Sequence, residues 1–246
     1  MKTFEKILSY PISVIYYIFF FLTLLIFHGI QWICLKIGGY HAHKKSVDVL
    51  NFFLLRCLNI LGGRTSFEKT HEIPTDRPVI FVANHQGMYD IPPIIWYLRN
   101  HHPKFVSKKE LGRGIPSISF NLRHGGSILI DRKNARESLV KISQFATYLN
   151  KTNRSGVIFP EGTRSRTGKP KKFAVQGLQL LFKKMPEALV VPVSINNSWK
   201  IFKFGSFPLG LGVHVQCKAH EPIAVKDHDP ESLVAIVERT ITADLK

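Results

Sequence analysis

The chain has 246 residues, of which 45% are hydrophobic, a composition that excludes a disordered protein. Its 34 Lys and Arg residues outnumber its 17 Asp and Glu residues, and the net charge is +17. This excess indicates an anionic partner such as an acidic lipid headgroup, a phosphorylated small molecule or nucleic acid, while three widely spaced cysteines exclude a disulfide framework.

An apolar segment near the N-terminus is the first predicted element. From Ile7 to Leu35 the sequence contains no Asp, Glu, Lys or Arg, and more than about 18 such residues are typical of a membrane helix. Because the segment is longer than a bilayer requires, it either spans with a tilt or bend or follows a re-entrant path. Lysines are more frequent on its C-terminal side, which places that side in the cytosol.

A second helix is predicted from Val47 to Leu61, with Gly62-Gly63 as its stop signal. It is amphipathic, so it either lies in the membrane interface or packs on the domain that follows. We therefore predict a pair of membrane-anchoring helices over residues 1–62 and one further domain over residues 63–246.

Short apolar runs alternate with longer amphipathic stretches in this second part of the chain. The runs predict strands at Val79–Ala83, Lys104–Ser107, Ser127–Ile130, Gly156–Phe159, Leu189–Ile195 and Gly212–Cys217. The amphipathic stretches predict helices at Ile91–Arg99, Ala135–Leu149, Val175–Lys184 and Glu231–Leu245. The alternation predicts an α/β fold, a mixed and largely parallel sheet flanked by helices, with ligands bound where strands end.

The segment Asn84-His85-Gln86-Gly87-Met88-Tyr89-Asp90 follows the first predicted strand. His85 and Asp90 can meet if His85 lies in the loop and Asp90 begins the next helix, whose first turn suits Pro92 and Pro93. Asp90 would then orient the imidazole while His85 takes a proton from a substrate hydroxyl. A structural alternative stays open, in which Asp90 caps the helix and His85 bonds a strand end.

A second polar cluster, Phe159-Pro160-Glu161-Gly162-Thr163-Arg164-Ser165, follows another apolar run. Gly162 permits a tight turn, and Arg164 offers a planar fork for a phosphate. Seven Lys or Arg residues and no acid lie between Arg164 and Lys184. The NTPase phosphate-binding loop is rejected, because five residues separate the glycines instead of four and Pro170 replaces the Ser or Thr.

Further basic residues, among them Lys108 and Arg132, lie between the two clusters and are interleaved with apolar residues. Such a pattern can bind nucleic acid, but the membrane segment favours phospholipid as the anionic partner. The histidines of 41–43 and 101–102 lack neighbouring Cys or carboxylate ligands, so we predict no metal site and expect solvated surface histidines.

Taken together, the motifs resemble those of the lysophosphatidic acid acyltransferases, the PlsC-like 1-acylglycerol-3-phosphate O-acyltransferases. Four blocks occur in the order of that family, and the resemblance covers residues 80–195. The blocks are NHQGMYD (84–90), GSILIDR (126–132), FPEGTRS (159–165) and VPVSI (191–195). The combination is far more specific than the histidine–aspartate pair alone.

The resemblance implies a glycerolipid acyltransferase-like fold and makes residues 63–246 the catalytic domain. It implies transfer of a fatty acyl group from acyl-CoA or acyl-carrier protein to the sn-2 hydroxyl of 1-acylglycerol-3-phosphate, giving phosphatidic acid. His85 is then the general base and Asp90 its partner. The implied substrate-binding residues, for the acceptor phosphate or CoA, are Glu161, Gly162, Thr163, Arg164, Lys108 and Arg132.

Two departures from the family pattern concern the acceptor. Gly87 stands where the family commonly has Ser, and Phe173-Ala174-Val175-Gln176-Gly177 lacks a lysine often found before that glycine. Another lysolipid, such as a lyso-aminolipid or a zwitterionic lysophospholipid, therefore stays open as the acceptor. The alternative from a different class is a non-catalytic membrane protein that binds anionic lipid or nucleic acid.

The resemblance implies no cofactor beyond the acyl donor. The expected partners are the lysophospholipid acceptor, acyl-CoA or acyl-carrier protein, and membrane lipids, with no nucleic acid. The expected location is the bacterial cytoplasmic membrane, with the catalytic domain on its cytosolic face.

Overall fold

A long helical element, α1 (Lys2–Ile60), opens the computed structural model, which describes residues 2–246. The backbone of Gly39 inside it is non-helical (φ 61°, ψ −154°), so α1 consists of two helices joined at this residue. A positive φ is readily adopted by glycine because it has no Cβ. The second of these helices begins directly after Gly39, earlier than the predicted Val47.

One face of α1 is apolar and exposed. Within the described residues, one helical segment, Phe4–Ile60, is long and apolar enough to cross a membrane, and its most apolar window is only 22% buried. Exposed side chains on the first half include Ile18, Leu22 and Leu25, whereas Tyr16, Phe20 and Leu24 face the protein and are buried.

The second half of α1 packs on the rest of the chain. Leu50, Leu54 and Leu58 belong to the same hydrophobic core as the strand residues Val79 and Phe81. Of the two alternatives for this helix, the structure shows packing on the domain that follows. The division of the chain at residue 63 falls just after α1, but because the two parts share a core, their independence stays a prediction.

The remaining chain forms one sheet with helices around it. The strands are β1 (Arg64–Lys69), β2 (Val79–Ala83), β3 (Lys104–Lys108), β4 (Ile128–Ile130), β5 (Gly156–Ile158), β6 (Leu189–Asn196), β7 (His214–Ala219) and β8 (Ile223–Ala224). The helices are α2 (Ile91–Tyr97), α3 (Ile118–His124), α4 (Ala135–Thr152), α5 (Val175–Lys184) and α6 (Pro230–Ala243).

The sheet is mixed and largely parallel, as predicted. Its order is β1-β7-β6-β2-β5-β3-β4, with β8 paired to β6. The pairs of β2 with β5 and β6, of β3 with β4 and β5, and of β1 with β7 are parallel, whereas β6 pairs antiparallel with β7 and β8. The carboxyl ends of β2, β3, β4, β5 and β6 therefore lie at one edge of the sheet.

Helices cover both faces of this sheet. Successive side chains of a strand point to opposite faces, and in β2 the residues Val79 and Phe81 pack with α1 and α2, whereas Ile80 and Val82 pack with α4, α5 and α6. A strand that is buried on both faces does not alternate apolar with polar residues. The continuous apolar run of residues 79–83 therefore predicted β2 correctly.

Every predicted strand is present, with bounds that differ by at most two residues. The edge strand β1, the two-residue β8 and the short helix α3 were not predicted. The sequence of β1, Arg-Thr-Ser-Phe-Glu-Lys, is only half buried and carries charge on its exposed side, so it lacks an apolar run. Helix α6 is capped by Asp229, whose carboxylate accepts the N–H groups of Glu231 and Ser232.

The expectation of solvated histidines is wrong for two of the four. His43 is 1% and His101 is 6% exposed, because the hydrophobic packing of α1 and the loop before β3 covers them. His102 is half-buried against Tyr40, whose hydroxyl lies 3.0 Å from its Nδ1. Among residues 2–246, no group of three or more His, Cys, Asp or Glu side chains is placed to hold a metal ion.

Candidate active site

The two polar clusters meet at the carboxyl edge of the sheet. His85 lies just after β2, and Glu161 lies just after β5, and these two strands are parallel neighbours. Asn84 fixes the end of β2 to β6, since its amide donates to the Ile195 carbonyl at 2.8 Å and accepts the Ile195 N–H at 2.7 Å.

His85 and Asp90 form the pair that the sequence suggests. Nδ1 of His85 lies 2.7 Å from Oδ2 of Asp90, and the Asp90 side chain is fully buried. Because an ionised carboxylate only accepts hydrogen bonds, Nδ1 carries the proton and Nε2 is left as the basic nitrogen. Within the described residues Nε2 has no hydrogen-bond partner, so it is available to a substrate.

Asp90 is the residue before α2, and its carboxylate caps the preceding 3-10 turn, Met88–Asp90, through the Gly87 N–H. Its side chain makes no capping hydrogen bond to α2, although Pro92 and Pro93 occupy the first turn of that helix as predicted. The Oδ2 atom instead accepts the backbone N–H groups of Gln86 at 2.6 Å and Gly87 at 2.9 Å. The carboxylate thus points back over the loop, where it orients the imidazole.

The His85 ring is also held through its face. It stacks on Phe159, with 4.3 Å between ring centroids and 22° between planes. Phe159 ends the apolar run before the second cluster, so it was predicted as a strand residue and not as a contact of His85. Stacking and the Asp90 bond together leave the ring little freedom to rotate.

Glu161 joins the two loops. Its Oε1 accepts the His85 N–H at 2.9 Å, and its Oε2 accepts the Lys171 N–H at 3.0 Å. Burial raises the pKa of this carboxyl, and the two backbone N–H groups oppose that effect. Glu161 therefore ties the His85 backbone to the loop after β5, and its predicted contact with substrate stays a prediction.

The turn itself is built around Gly162. Its φ is 67°, and its N–H donates to the Phe159 carbonyl at 3.0 Å. The exposed side chain of Arg132 reaches this turn from the end of β4, and its Nη1 donates to the Gly162 carbonyl. The second and third blocks of the chain thus converge on one loop.

Thr163 and Arg164 are exposed beyond this turn. Lys171, which the sequence did not single out within its basic run, binds the Thr163 hydroxyl at 2.7 Å and the Arg164 carbonyl at 2.9 Å. The Arg164 guanidinium forms no ion pair or hydrogen bond within the described residues, so its fork is open to an anion.

Lys108 ends β3, at the same edge of the sheet. Its ammonium lies 3.2 Å from the carboxylate of Glu110, and both side chains are exposed. No contact within residues 2–246 joins Lys108 to the histidine–aspartate pair. Its predicted contact with phosphate or CoA stays a prediction.

The family model described as Acyltransferase matches residues 64–196, more than half of the chain, which therefore belongs to the acyltransferase family. The structure is similar to that of the 1-acyl-sn-glycerophosphate (LPA) acyltransferase PlsC from Thermotoga maritima, with a TM-score of 0.76 and 25% identity. The match covers 99% of this chain and 95% of that one.

Two curated relatives carry the same kind of name. The chain is 35% identical over 149 residues to the 1-acyl-sn-glycerol-3-phosphate acyltransferase of Helicobacter pylori, a match that covers 59% of each protein. It is 23% identical over 195 residues to the human 1-acyl-sn-glycerol-3-phosphate acyltransferase alpha, covering 79% of this chain and 67% of the human protein. The chain thus spans about three fifths to two thirds of the length of these relatives.

Proposed function

We propose that this protein is a membrane-bound acyltransferase that acylates the sn-2 hydroxyl of 1-acylglycerol-3-phosphate and gives phosphatidic acid. The acyl donor is acyl-CoA or acyl-carrier protein. The observation that carries this proposal is the His85 imidazole, which Asp90 holds by Nδ1 at 2.7 Å while Nε2 stays unpartnered within the described residues. The names of the similar proteins favour a lysophosphatidic acid acceptor.

The proposed reaction uses these groups directly. Nε2 of His85 takes the proton of the acceptor hydroxyl as its oxygen attacks the thioester carbonyl. The tetrahedral intermediate then collapses, the carbon–sulfur bond breaks, and the imidazolium returns its proton to the leaving thiolate. A thioester is already activated, so a base and an oriented acceptor are sufficient. The reaction needs no metal or redox cofactor.

The acceptor phosphate is proposed to bind at the turn after β5. Arg164 is exposed and unpaired within the described residues, and Arg132 lies against the same turn through the Gly162 carbonyl. A guanidinium matches a phosphate with two parallel hydrogen bonds. The surrounding basic run draws both the phosphorylated acceptor and the anionic donor to this edge of the sheet.

Membrane association follows from the outward face of α1. Side chains such as Ile18, Leu22 and Leu25 are exposed in a helix whose other face packs on the protein. A continuous apolar face of this size is unfavourable in water and favourable in a bilayer. We propose that the lipid tails of the substrates lie in the same bilayer and that His85 works at its cytosolic surface, the side that the lysine distribution favours.

Thiol release from oleoyl-CoA tests the acceptor and the donor together. The detergent-solubilised protein is assayed with lysophosphatidic acid, with a zwitterionic lysophospholipid, with a lyso-aminolipid and with no acceptor. We expect release that depends on lysophosphatidic acid. Faster release with another lysolipid would identify that lysolipid as the acceptor. If no acceptor gives release with either CoA or carrier-protein donors, and the protein shows salt-sensitive lipid binding, the non-catalytic alternative is favoured.

A further inference from the structure

Ser198 is a buried residue that contacts Asp90 from a distant part of the chain. It follows β6 and begins the short 3-10 helix Ser198–Phe202, after Asn197 in the left-handed conformation (φ 71°). Its side chain is 0% exposed, and its hydroxyl donates to Oδ1 of Asp90. No motif in the sequence marks this serine.

The two oxygens of Asp90 have different partners. Oδ2 receives the imidazole of His85 and the N–H groups of Gln86 and Gly87. Oδ1 receives the Ser198 hydroxyl, and it has no second donor within the described residues. Rotation of the carboxylate about its Cβ–Cγ bond would break the contact with His85, and Ser198 is the group that opposes this rotation from the other side.

Because Gly87 has no side chain, the Ser198 hydroxyl can occupy the space beside it. Its backbone is extended (φ −160°, ψ 178°), a conformation open to any residue, so backbone geometry does not demand glycine here. A Cβ at this position would lie 3.0 Å from the Ser198 Oγ and 3.3 Å from the Ser198 carbonyl oxygen. A side chain at position 87 would therefore compete with the Ser198 hydroxyl for the same volume beside Asp90.

We propose that Ser198 is a positioning residue whose hydroxyl holds Asp90 in the orientation that His85 requires. We further infer that Gly87 and Ser198 are matched, so that the hydroxyl at position 198 takes the place of one at position 87. This inference rests on the proposed function, because its consequence is a change in turnover. It explains why the absence of a serine at position 87 is compatible with an intact histidine–aspartate pair.

The first test compares Ser198→Ala with Ser194→Ala. Ser194 is also 0% exposed and bonds the His220 ring at 2.6 Å, on β6 and outside the site, so it controls for the loss of a buried hydroxyl. We expect Ser198→Ala to lower kcat about tenfold or more with little change in KM, since a hydrogen bond to a charged group is lost. Ser194→Ala should keep the wild-type kcat. Equal kcat values for wild type and Ser198→Ala would overturn the proposal.

The second test moves the hydroxyl. The double variant Gly87→Ser/Ser198→Ala removes the tightest contact of the new side chain, the 3.0 Å approach to the Oγ of residue 198, and leaves the 3.3 Å approach to its carbonyl oxygen. We expect its kcat to exceed that of Ser198→Ala, whereas Gly87→Ser alone should lower kcat by crowding Ser198. A double variant no more active than Ser198→Ala would overturn the matching of the two positions.

A spectroscopic measurement separates this inference from the proposed function. In protein labelled with ¹⁵N-histidine, the Nδ1–H signal of His85 reports its bond to Asp90 whether or not any lysolipid is turned over. We expect that signal to shift or broaden in Ser198→Ala and to stay unchanged in Ser194→Ala. An unchanged signal in both variants would contradict the positioning role. An inactive wild type with the expected shift would contradict only the proposed function.

Discussion

The carboxylate of Glu161 accepts the backbone N–H of His85 at 2.9 Å, so a residue of the second polar cluster fixes the histidine of the first. The link is strengthened in the opposite direction, since the Ser165 N–H donates to the His85 carbonyl at 2.7 Å. The loops after β2 and β5 are therefore one unit, and a change in either should affect the chemistry at His85.

Replacing Glu161 by alanine should lower both stability and turnover. The N–H groups of His85 and Lys171 would lose their acceptor in part-buried hydrogen bonds, and an unsatisfied N–H costs up to about 1–3 kcal/mol where it is kept from water. We expect a lower Tm and a kcat reduced about tenfold or more, with Glu161→Gln intermediate because its amide oxygen can still accept one N–H. Thermal unfolding and steady-state kinetics measure the two effects. A variant with wild-type Tm and kcat and a raised KM for lysophosphatidic acid would instead make Glu161 a direct substrate contact.

Replacing Arg164 by alanine should weaken acceptor binding. Its guanidinium is exposed and has no partner in the described part of the chain, so its removal leaves the protein intact. A hydrogen bond to a charged group contributes about 1.5–3 kcal/mol, which predicts a KM for lysophosphatidic acid raised about tenfold or more. The matched control is Lys151→Ala, at an exposed position in the last turn of α4 and outside the basic run. If the KM for the acyl donor rises and that for the acceptor does not, Arg164 belongs to the donor site.

Two aspartates on the outward face of α1 should release the protein from membranes. The change is Leu22→Asp/Leu25→Asp, at exposed positions three residues apart. A charged side chain at the centre of a membrane helix costs about 2.5–3.5 kcal/mol. Flotation with phospholipid vesicles measures the bound fraction, which we expect to fall sharply.

The control for this experiment places the same charges on a water-facing helix. Gln144 and Thr147 are exposed on α4 with the same spacing, and Gln144→Asp/Thr147→Asp should float with vesicles like the wild type. Vesicle binding by Leu22→Asp/Leu25→Asp equal to that of this control would show that α1 does not anchor the protein.

Lys104 predicts a pH dependence of stability. Burial, with Arg154 and Lys44 nearby, lowers the pKa of its ammonium from 10.5 to about 7. Between these values the unfolded chain binds more protons than the folded one, so this residue makes stability rise with pH across that window. At pH 7 and below, the cost of the buried charge is largest.

Substituting this lysine should remove the effect. We expect Lys104→Met to raise Tm at pH 7 and to flatten the rise of Tm between pH 7 and 9.5, a range inside the window set by Lys104. Lys151→Met, on the exposed end of α4, is the control and should keep the wild-type slope. Identical slopes for Lys104→Met and the wild type would contradict the assignment.

Much of the fold could be predicted because its strands are buried on both faces. The run Val79–Ala83 is apolar throughout and was placed without error, as was α5 with its amphipathic repeat. The edge strand β1 could not be found in this way, since an edge strand alternates exposed charge with half-buried residues. Helix α3 is too short, at seven residues, to show a helical repeat.

The candidate site was predictable only where its residues are neighbours in the chain. The His85–Asp90 contact spans five positions, and Pro92 and Pro93 indicated that α2 begins directly after Asp90. The Ser198 contact with Asp90 spans 108 positions, and the bond from His85 to Glu161 spans 76. Such contacts depend on which strands become neighbours, and no local sequence pattern determines the order of strands in a sheet.

The role of His85 as the general base is tested by measuring phosphatidic acid formed from oleoyl-CoA and lysophosphatidic acid by mass spectrometry, for the wild type, His85→Ala and His71→Ala. His71 is exposed and lies outside the site, so it controls for the loss of an imidazole. General base catalysis contributes about 10²–10⁴-fold, and we expect the rate to fall by that factor in His85→Ala and to stay unchanged in His71→Ala, with membrane binding and Tm retained in both. A His85→Ala protein that forms phosphatidic acid at nearly the wild-type rate would show that His85 is not the general base.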